Sequence, residues 1–231
     1  AEQVARALDP DADPLGLRVV DLVAVENTHQ VGGGTVLSLE SLRGIREVTR
    51  EARVPLYMDG ARIWNASAAS GVPVSDYAAE VDALMFCFSK GLGAPIGSIL
   101  CGPADFIAEA RRVRVQLTGG WRQAGVIAAA AMVALDEGPG RLHEDHANAK
   151  RLAEGLADIV PGSIDPAAVE TNILFVDPSP VGLTPSEAVK RLHAEGVLAT
   201  LVAGKVRMLT HRDVSTSDID AALDAWRRIA A

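Results

Sequence analysis

With 231 residues, 48% of them apolar and 23% charged, the chain is long enough to bury a full core and too apolar to stay disordered. Its formal charge of -8, with basic residues scattered along the sequence, argues against nucleic acid as a partner. No apolar run approaches the roughly 20 residues that span a bilayer, and the first residues lack a basic segment followed by an apolar one, so a cytoplasmic protein is expected.

Residues 1–16 carry prolines and aspartates and read as a weakly anchored lead-in with one short helix near Val4–Leu8. Leu17–Val25 is rich in β-branched residues and predicts a strand, followed by a polar turn from Glu26 to Gly34 that holds three glycines. Ser38 opens a helix whose apolar positions Leu39, Leu42, Ile45 and Val48 recur at helical spacing. Val54–Met58 is the next strand, and Ala61–Ala69 begins another helix. Asp82–Phe88 and Gly97–Cys101 are strands joined by a glycine-rich loop, and their cysteines, Cys87 and Cys101, read as reduced core residues. Pro103–Arg114 reads as a helix with proline in its first turn. Two long helices follow, Arg122–Leu135 and Arg141–Ile159, and the Ala-rich stretch Gly125–Leu135 is expected to be buried. The break between them at Gly138-Pro139-Gly140 divides the chain into domains 1–137 and 138–231. Beyond it come strand Asn172–Val176, helix Pro185–Ala194, strands Leu198–Val202 and Val206–Leu209, and helix Ser217–Ile229. Strands alternating with helices predict an α/β first domain with a mostly parallel sheet.

In an open α/β sheet, ligands bind at the carboxyl ends of the strands. His29 follows the first strand, Asp59 closes the second and Lys90 follows the third, so three kinds of functional side chain share one edge. The apolar run Ala83–Phe88 ends in the loop carrying Lys90, where partial desolvation would lower the ammonium pKa and free a nucleophilic amine. That is the setting of a Schiff-base lysine; a solvated loop lysine is the alternative. Asp59 reads either as the cap of a helix beginning at Gly60 or Ala61, or as the carboxylate that keeps a pyridine nitrogen protonated. A carboxylate, an arginine three residues on (Arg62) and a lysine in a glycine loop form the kit of a pyridoxal phosphate site.

Other chemistries fit less well. Ser89 has Cys87 where a nucleophile elbow needs glycine. Neither Gly91 with Gly93 nor Gly32-Gly33-Gly34 completes a nucleotide-binding motif. His143-Glu144-Asp145-His146 lacks the spacing of a metal site and reads as a charged helix face. His193 and His211 carry no motif that identifies a ligand set.

Five segments then occur in order: Glu26-Asn27-Thr28-His29, Asp59-Gly60-Ala61-Arg62, Ser89-Lys90-Gly91-Leu92-Gly93-Ala94-Pro95, Gly120-Trp121-Arg122-Gln123-Ala124-Gly125 and Val206-Arg207-Met208-Leu209-Thr210-His211. Together, from about Leu17 to the C-terminus, they resemble the low-specificity L-threonine aldolases, in the aromatic amino acid beta-eliminating lyase/threonine aldolase group. That group has fold type I, the aspartate aminotransferase-like fold of enzymes that use pyridoxal 5'-phosphate (PLP). The resemblance implies a partial PLP-binding large domain followed by a smaller α+β domain. It implies that Lys90 binds PLP covalently, Asp59 meets the ring nitrogen, Arg62 the phenolic oxygen and Arg122 the phosphate across a subunit interface. Arg207 would take the substrate carboxylate in a bidentate pair, and His29 would approach the β-hydroxyl.

The implied reaction cleaves L-threonine or L-allo-threonine to glycine and acetaldehyde, in a homodimer or homotetramer with shared active sites. Two other readings keep the resemblance but change the outcome: a β-eliminating lyase or phenylserine-type aldolase, and a non-catalytic remnant. Met58 stands where the family often has His. Family members also carry roughly a hundred further residues ahead of the Leu17 strand, in keeping with two-domain chains of that size. The phosphate cup and a ring-stacking histidine are implied to lie in those residues, so a partial chain is expected.

Overall fold

The computed structural model describes residues 1–9 and 20–231, so Leu17–Val19 of the first expected strand lie outside the described residues. Of that strand, β1 runs only from Val23 to Glu26, and Val20–Leu22 precede it without strand pairing. The lead-in helix α1 spans Glu2–Leu8. β1, β2 (Leu56–Asp59) and β3 (Ala83–Cys87) run parallel, and β4 (Ser98–Cys101) pairs antiparallel with β3, in the order β1-β2-β3-β4. The unbroken apolar run of β3 is what a strand covered on both faces requires.

Helix α2 (Leu39–Ala52) connects β1 to β2. Ser38 caps it by accepting the Ser41 N–H at 3.1 Å, and Leu42, Ile45 and Thr49 form its buried stripe. These pack with Leu56, Met58, Leu84 and Phe86 of the sheet and with Ile63 and Ala66 of α3 (Ile63–Ser70). Met58 is fully buried in this core. Burying each such side chain contributes about 1.5–3 kcal/mol. The sequence does not announce α4 (Val74–Ala78); at five residues it is too short for helical periodicity to show, and it starts directly after Pro73.

Helices α5 (Ala104–Gln116) and α6 (Gly125–Glu137) depart from expectation. Burial was expected for Gly125–Leu135, yet only Ala131 and Ala134 of α6 are buried, and Val126 and Met132 are 83% and 72% exposed. Apolar composition alone does not say where the cover comes from. Among the described residues, nothing lies over the outer face of this helix.

After a 3-10 turn at Pro139–Arg141, α7 (Leu142–Ile159) leads into a second sheet. There β5 (Ile173–Val176) and β6 (Thr200–Val202) flank β7 (Lys205–Leu209), all antiparallel, in the order β5-β7-β6. Alternate residues Leu174, Val176, Val206 and Met208 face α7 and the helices α8 (Pro185–Ala194) and α9 (Thr216–Ala230), packing on Leu152, Leu156, Leu192, Ile219 and the fully buried Trp226. α8 and α9 both begin with complete capping boxes, Thr184 with Glu187 and Ser215 with Asp218. Among the described residues, no helix is long and apolar enough to cross a membrane.

Candidate active site

Because β1, β2 and β3 are parallel, their carboxyl ends open onto one edge, where Glu26 lies level with Asp59 and Asp59 level with Met85. After β1, the Asn27 amide donates to the Leu37 carbonyl and accepts the Leu37 N–H, both at 3.1 Å, closing the loop that carries His29. Within that loop Glu26 accepts the Gln30 N–H at 3.1 Å, and its other oxygen lies 3.8 Å from His29 Nε2. After β2, Asp59 accepts the Ala61 N–H at 3.0 Å. Helix α3 starts only at Ile63, without a side-chain cap, so Asp59 stabilises the preceding turn and not the helix itself. Gly60 is required there: a Cβ would stand 2.8 Å from the Met85 carbonyl oxygen and push the turn off its neighbouring strand. After β3, the loop folds back as Gly93 N–H donates to the Lys90 carbonyl and Ala94 N–H to that of Phe88, both at 2.9 Å.

Lys90 lines a cavity of about 440 Å3 with Arg62, Gly93, Asn172, His211 and Arg212. Both sheets therefore contribute to one wall. Of the chain's four lysines, Lys90, Lys150, Lys190 and Lys205, this is the one on that wall. The burial expected for it is absent: the residue is exposed. Arg212 crosses the loop at Gly93, where φ is +84° and a Cβ would lie 2.5 Å from Arg212 Cδ. Asn172 is buried; its amide nitrogen donates to the Thr210 carbonyl at 2.8 Å, while Oδ1 has no partner.

Arg62 is buried with its Nη1 3.5 Å from Gln30 Oε1 and its Nε unpartnered. Burial first, then the nearby Arg207 charge, pushes its pKa below the usual arginine range, against the opposing charges of Cys87, Glu26 and Asp59. Arg207 stands on β7 level with Phe175 and Thr200, also with an unpartnered buried Nε, and burial lowers its pKa too. Two buried guanidinium nitrogens without partners, with no carboxylate in ion-pair range of either residue among those described, make a place suited to an anion or a strong acceptor. Arg207, His29 and Asp59 nonetheless lie outside the lining of the Lys90 cavity. Arg122 is farther off in the chain, exposed beside Trp121 just ahead of α6.

Three cavity residues, Asn172, His211 and Arg212, were not singled out from sequence as site residues. His211 closes the segment that holds Arg207 and Arg212 follows it, but only the packing of the second sheet against the first brings them to Lys90. A larger cavity, about 810 Å3, opens at the opposite, amino-terminal ends of β2 and β3. Its Asp82 is already held by Arg46 through two bonds of 2.6 and 2.7 Å and by the Leu56 N–H, so that carboxylate is committed within the fold. The chemistry points to the smaller cavity. The His143–His146 segment is solvated only in part: His143 and Glu144 are exposed, whereas Asp145 is 1% exposed and His146 Nε2 lies 3.1 Å from Asn65 Nδ2. Among the described residues no cluster suited to a metal occurs.

Comparison with known proteins bears on this geometry. Low-specificity L-threonine aldolase 1 of Arabidopsis thaliana is 42% identical over 211 residues, covering 90% of this chain and 58% of that protein. The low specificity L-threonine aldolase of Escherichia coli (strain K12) is 38% identical over 231 residues, covering 100% of this chain and 66% of its own length. This chain thus spans about three fifths of the length of these relatives. Among solved structures, the threonine aldolase of Leishmania major superposes with a TM-score of 0.72 at 21% identity, covering 91% of this chain and 61% of that one; the likeness establishes the shared fold type I architecture. Residues 1–179 match the beta-eliminating lyase family, and the chain belongs to it.

Proposed function

We propose that this chain carries the cofactor lysine and substrate-binding cations of a PLP-dependent aldehyde-lyase that cleaves L-threonine and L-allo-threonine to glycine and acetaldehyde. The observation that carries the reading is Lys90 on the loop after β3, in one cavity with Arg62 and Arg212 and beside the edge that bears Asp59. The named activity of the Arabidopsis and Escherichia coli relatives supports it.

The residues fit PLP. The unpartnered Nε atoms of Arg62 and Arg207 call for acceptor oxygens, and the exposed carboxylate of Asp59 at a strand end suits a protonated ring nitrogen. Bound PLP supplies an electron sink for the carbanion left at Cα as the Cα–Cβ bond breaks. In this proposal the Lys90 amine holds the cofactor, and Asp59 keeps the proton on the ring nitrogen. Arg62 donates to the phenolic oxygen. Arg207 clasps the substrate carboxylate through two parallel N–H bonds, which a lysine could not reproduce. His29 receives the β-hydroxyl proton at an imidazole nitrogen, with the Glu26 carboxylate 3.8 Å away.

The proposal includes association with a second copy. Trp121, Val126 and Met132 are each at least 65% exposed, and in this proposal the exposed Arg122, next to Trp121 in the chain, would reach a partner's phosphate site. It retains the division at residue 138, since Ala134 packs with the first sheet's core and Ala149 onward with the second's. Cys87 and Cys101 are both unpaired, which fits a reducing, cytoplasmic compartment. The test is acetaldehyde release from L-threonine at saturating PLP. The wild type is expected to be active and Lys90→Ala to lose at least about a thousandfold, equivalent to roughly 4 kcal/mol of barrier. Equal activity in the variant contradicts the assignment.

A further inference from the structure

The turn after β1 that carries His29 is tied to the second sheet. Within the turn, His29 and Thr35 pair as an isolated antiparallel bridge; the His29 N–H donates to the Thr35 carbonyl and the Gly34 N–H to the His29 carbonyl, both at 2.9 Å. A Cβ on Gly32 would stand 2.5 Å from His29 Nδ1, so the imidazole lies directly against the main chain of its own turn. The far side of the turn rests on the residues that lead into β5. There Thr171, fully buried, donates its hydroxyl to the Gly34 carbonyl at 2.6 Å, across 137 residues of chain. A Cβ on Gly34 would stand 2.5 Å from that hydroxyl oxygen and 3.0 Å from Ile173 Cβ, so no side chain fits between the two segments. One residue earlier, the exposed Glu170 accepts the Val36 N–H at 2.9 Å. Water can replace a partner at an exposed tie but not at a buried one, where the freed acceptor bears its full desolvation cost. Gly34 is buried, so the Thr171 hydroxyl is the tie with more at stake.

We propose that Thr171 is a positioning residue for His29. Its hydroxyl holds the Gly34 carbonyl, the Gly34 N–H holds the His29 carbonyl, and the imidazole is thereby kept at the strand edge with Nε2 3.8 Å from Glu26. Thr171 directly precedes Asn172, which lines the Lys90 cavity, so one short segment sets both the cavity wall and the turn that carries the proton acceptor. The kinetic part of the proposal rests on the role given to His29 above; the hydrogen bond and its hold on the turn do not.

Thr171→Val keeps the shape of the side chain and removes the hydroxyl, Thr171→Ser keeps the hydroxyl, and Thr171→Ala lacks it without crowding should the valine variant not fold. Residue-resolved amide hydrogen exchange reads the turn directly. The His29 and Gly34 amides are expected to exchange at least about tenfold faster in the valine or alanine variant than in the wild type, and to recover in the serine variant. The Thr210 amide, bonded to the Asn172 carbonyl at 3.0 Å, is the control and should keep its wild-type rate. Unchanged rates at His29 and Gly34 overturn the proposal. So does an equal acceleration at Thr210, which would mean general loosening, and so does a serine variant that exchanges as fast as the valine one. At saturating PLP, Thr171→Val should lower kcat for threonine about tenfold with KM changed less than about threefold, and Thr171→Ser should restore it. In a His29→Asn background, Thr171→Val should cost less than about twofold. A full tenfold loss in that background, or an unchanged kcat in the single variant, contradicts the proposal. If the wild type does not cleave threonine, the functional reading fails, while the exchange rates still decide whether Thr171 holds the turn.

Discussion

Around the three-stranded sheet, helices α7 and α9 cover one face with Leu152, Leu156, Ile219 and Trp226, and α8 and α9 are each started by a full capping box. Around the four-stranded sheet, α5 buries no residue and α6 buries two alanines, while Ile99 and Leu100 of β4 and Phe106 of α5 are each at least 38% exposed. The C-terminal sheet thus completes its core from its own sequence. The first sheet buries one side well and leaves the β4–α5–α6 side apolar and open, as surfaces do when another surface is meant to cover them. The cavity with Lys90 lies where the two regions meet, so the self-sufficient region holds Asn172, His211 and Arg212 against the loop of the other.

The sharpest way to break this contrast is Trp226→Ala. The indole is fully buried and its N–H points to Met208 Sδ at 3.4 Å. Truncation should lower unfolding free energy by about 3–5 kcal/mol in urea denaturation. A loss below about 1 kcal/mol would mean the second core is not the anchor, since such small values belong to surface positions.

The contact between the regions should be sensitive to acid. Burial, and then the charge of His143, pushes the His146 pKa down to about 4 from its ordinary 6.5, and the neutral ring can accept the Asn65 amide N–H. The unfolded chain takes up this proton near 6.5 and the folded chain only near 4, so its contribution is full above 6.5 and falls as pH drops to 4. The loss over that window is at most about 3 kcal/mol. His146→Gln should flatten the stability profile between those pH values; an unchanged slope would place its origin elsewhere.

At the cofactor edge, Asp59→Asn is expected to reduce threonine cleavage at least about a hundredfold, roughly 2.7 kcal/mol of barrier, while cofactor attachment persists. A loss under about threefold would leave Asp59 only the turn bond to Ala61. The smallest effect belongs to the open face. Met132→Ser should change the stability of the isolated chain by less than about 0.5 kcal/mol. It should nevertheless weaken self-association in sedimentation, and unaltered association would remove α6 from any interface.

Most elements were legible because their signals are local. Ser38 with Leu42 and Ile45 marks α2, and the apolar run of residues 83–87 marks β3. The edge location of Asp59 and Lys90 followed from strand order alone. What the sequence hid depends on partners distant in the chain. The Gly125–Leu135 pattern is equally apolar whether its cover is intramolecular or not, so the expectation of burial failed. Asp145 and His146 read as a charged face because nothing near them in sequence reveals Thr210 and Asn65, 65 and 81 residues away. Arg212 escaped notice for the same reason: its meeting with Gly93 spans both regions.

The central claim is that Lys90 is the residue to which the cofactor attaches. Incubating the protein with PLP, reducing with borohydride and mapping the modified peptide by mass spectrometry tests it directly. The expected product is a pyridoxyl adduct on Lys90 that disappears in Lys90→Ala, with Lys150, Lys190 and Lys205 unmodified at the lowest PLP concentration that labels the protein. An adduct spread evenly over the four lysines, or one that persists in the variant, would contradict the account.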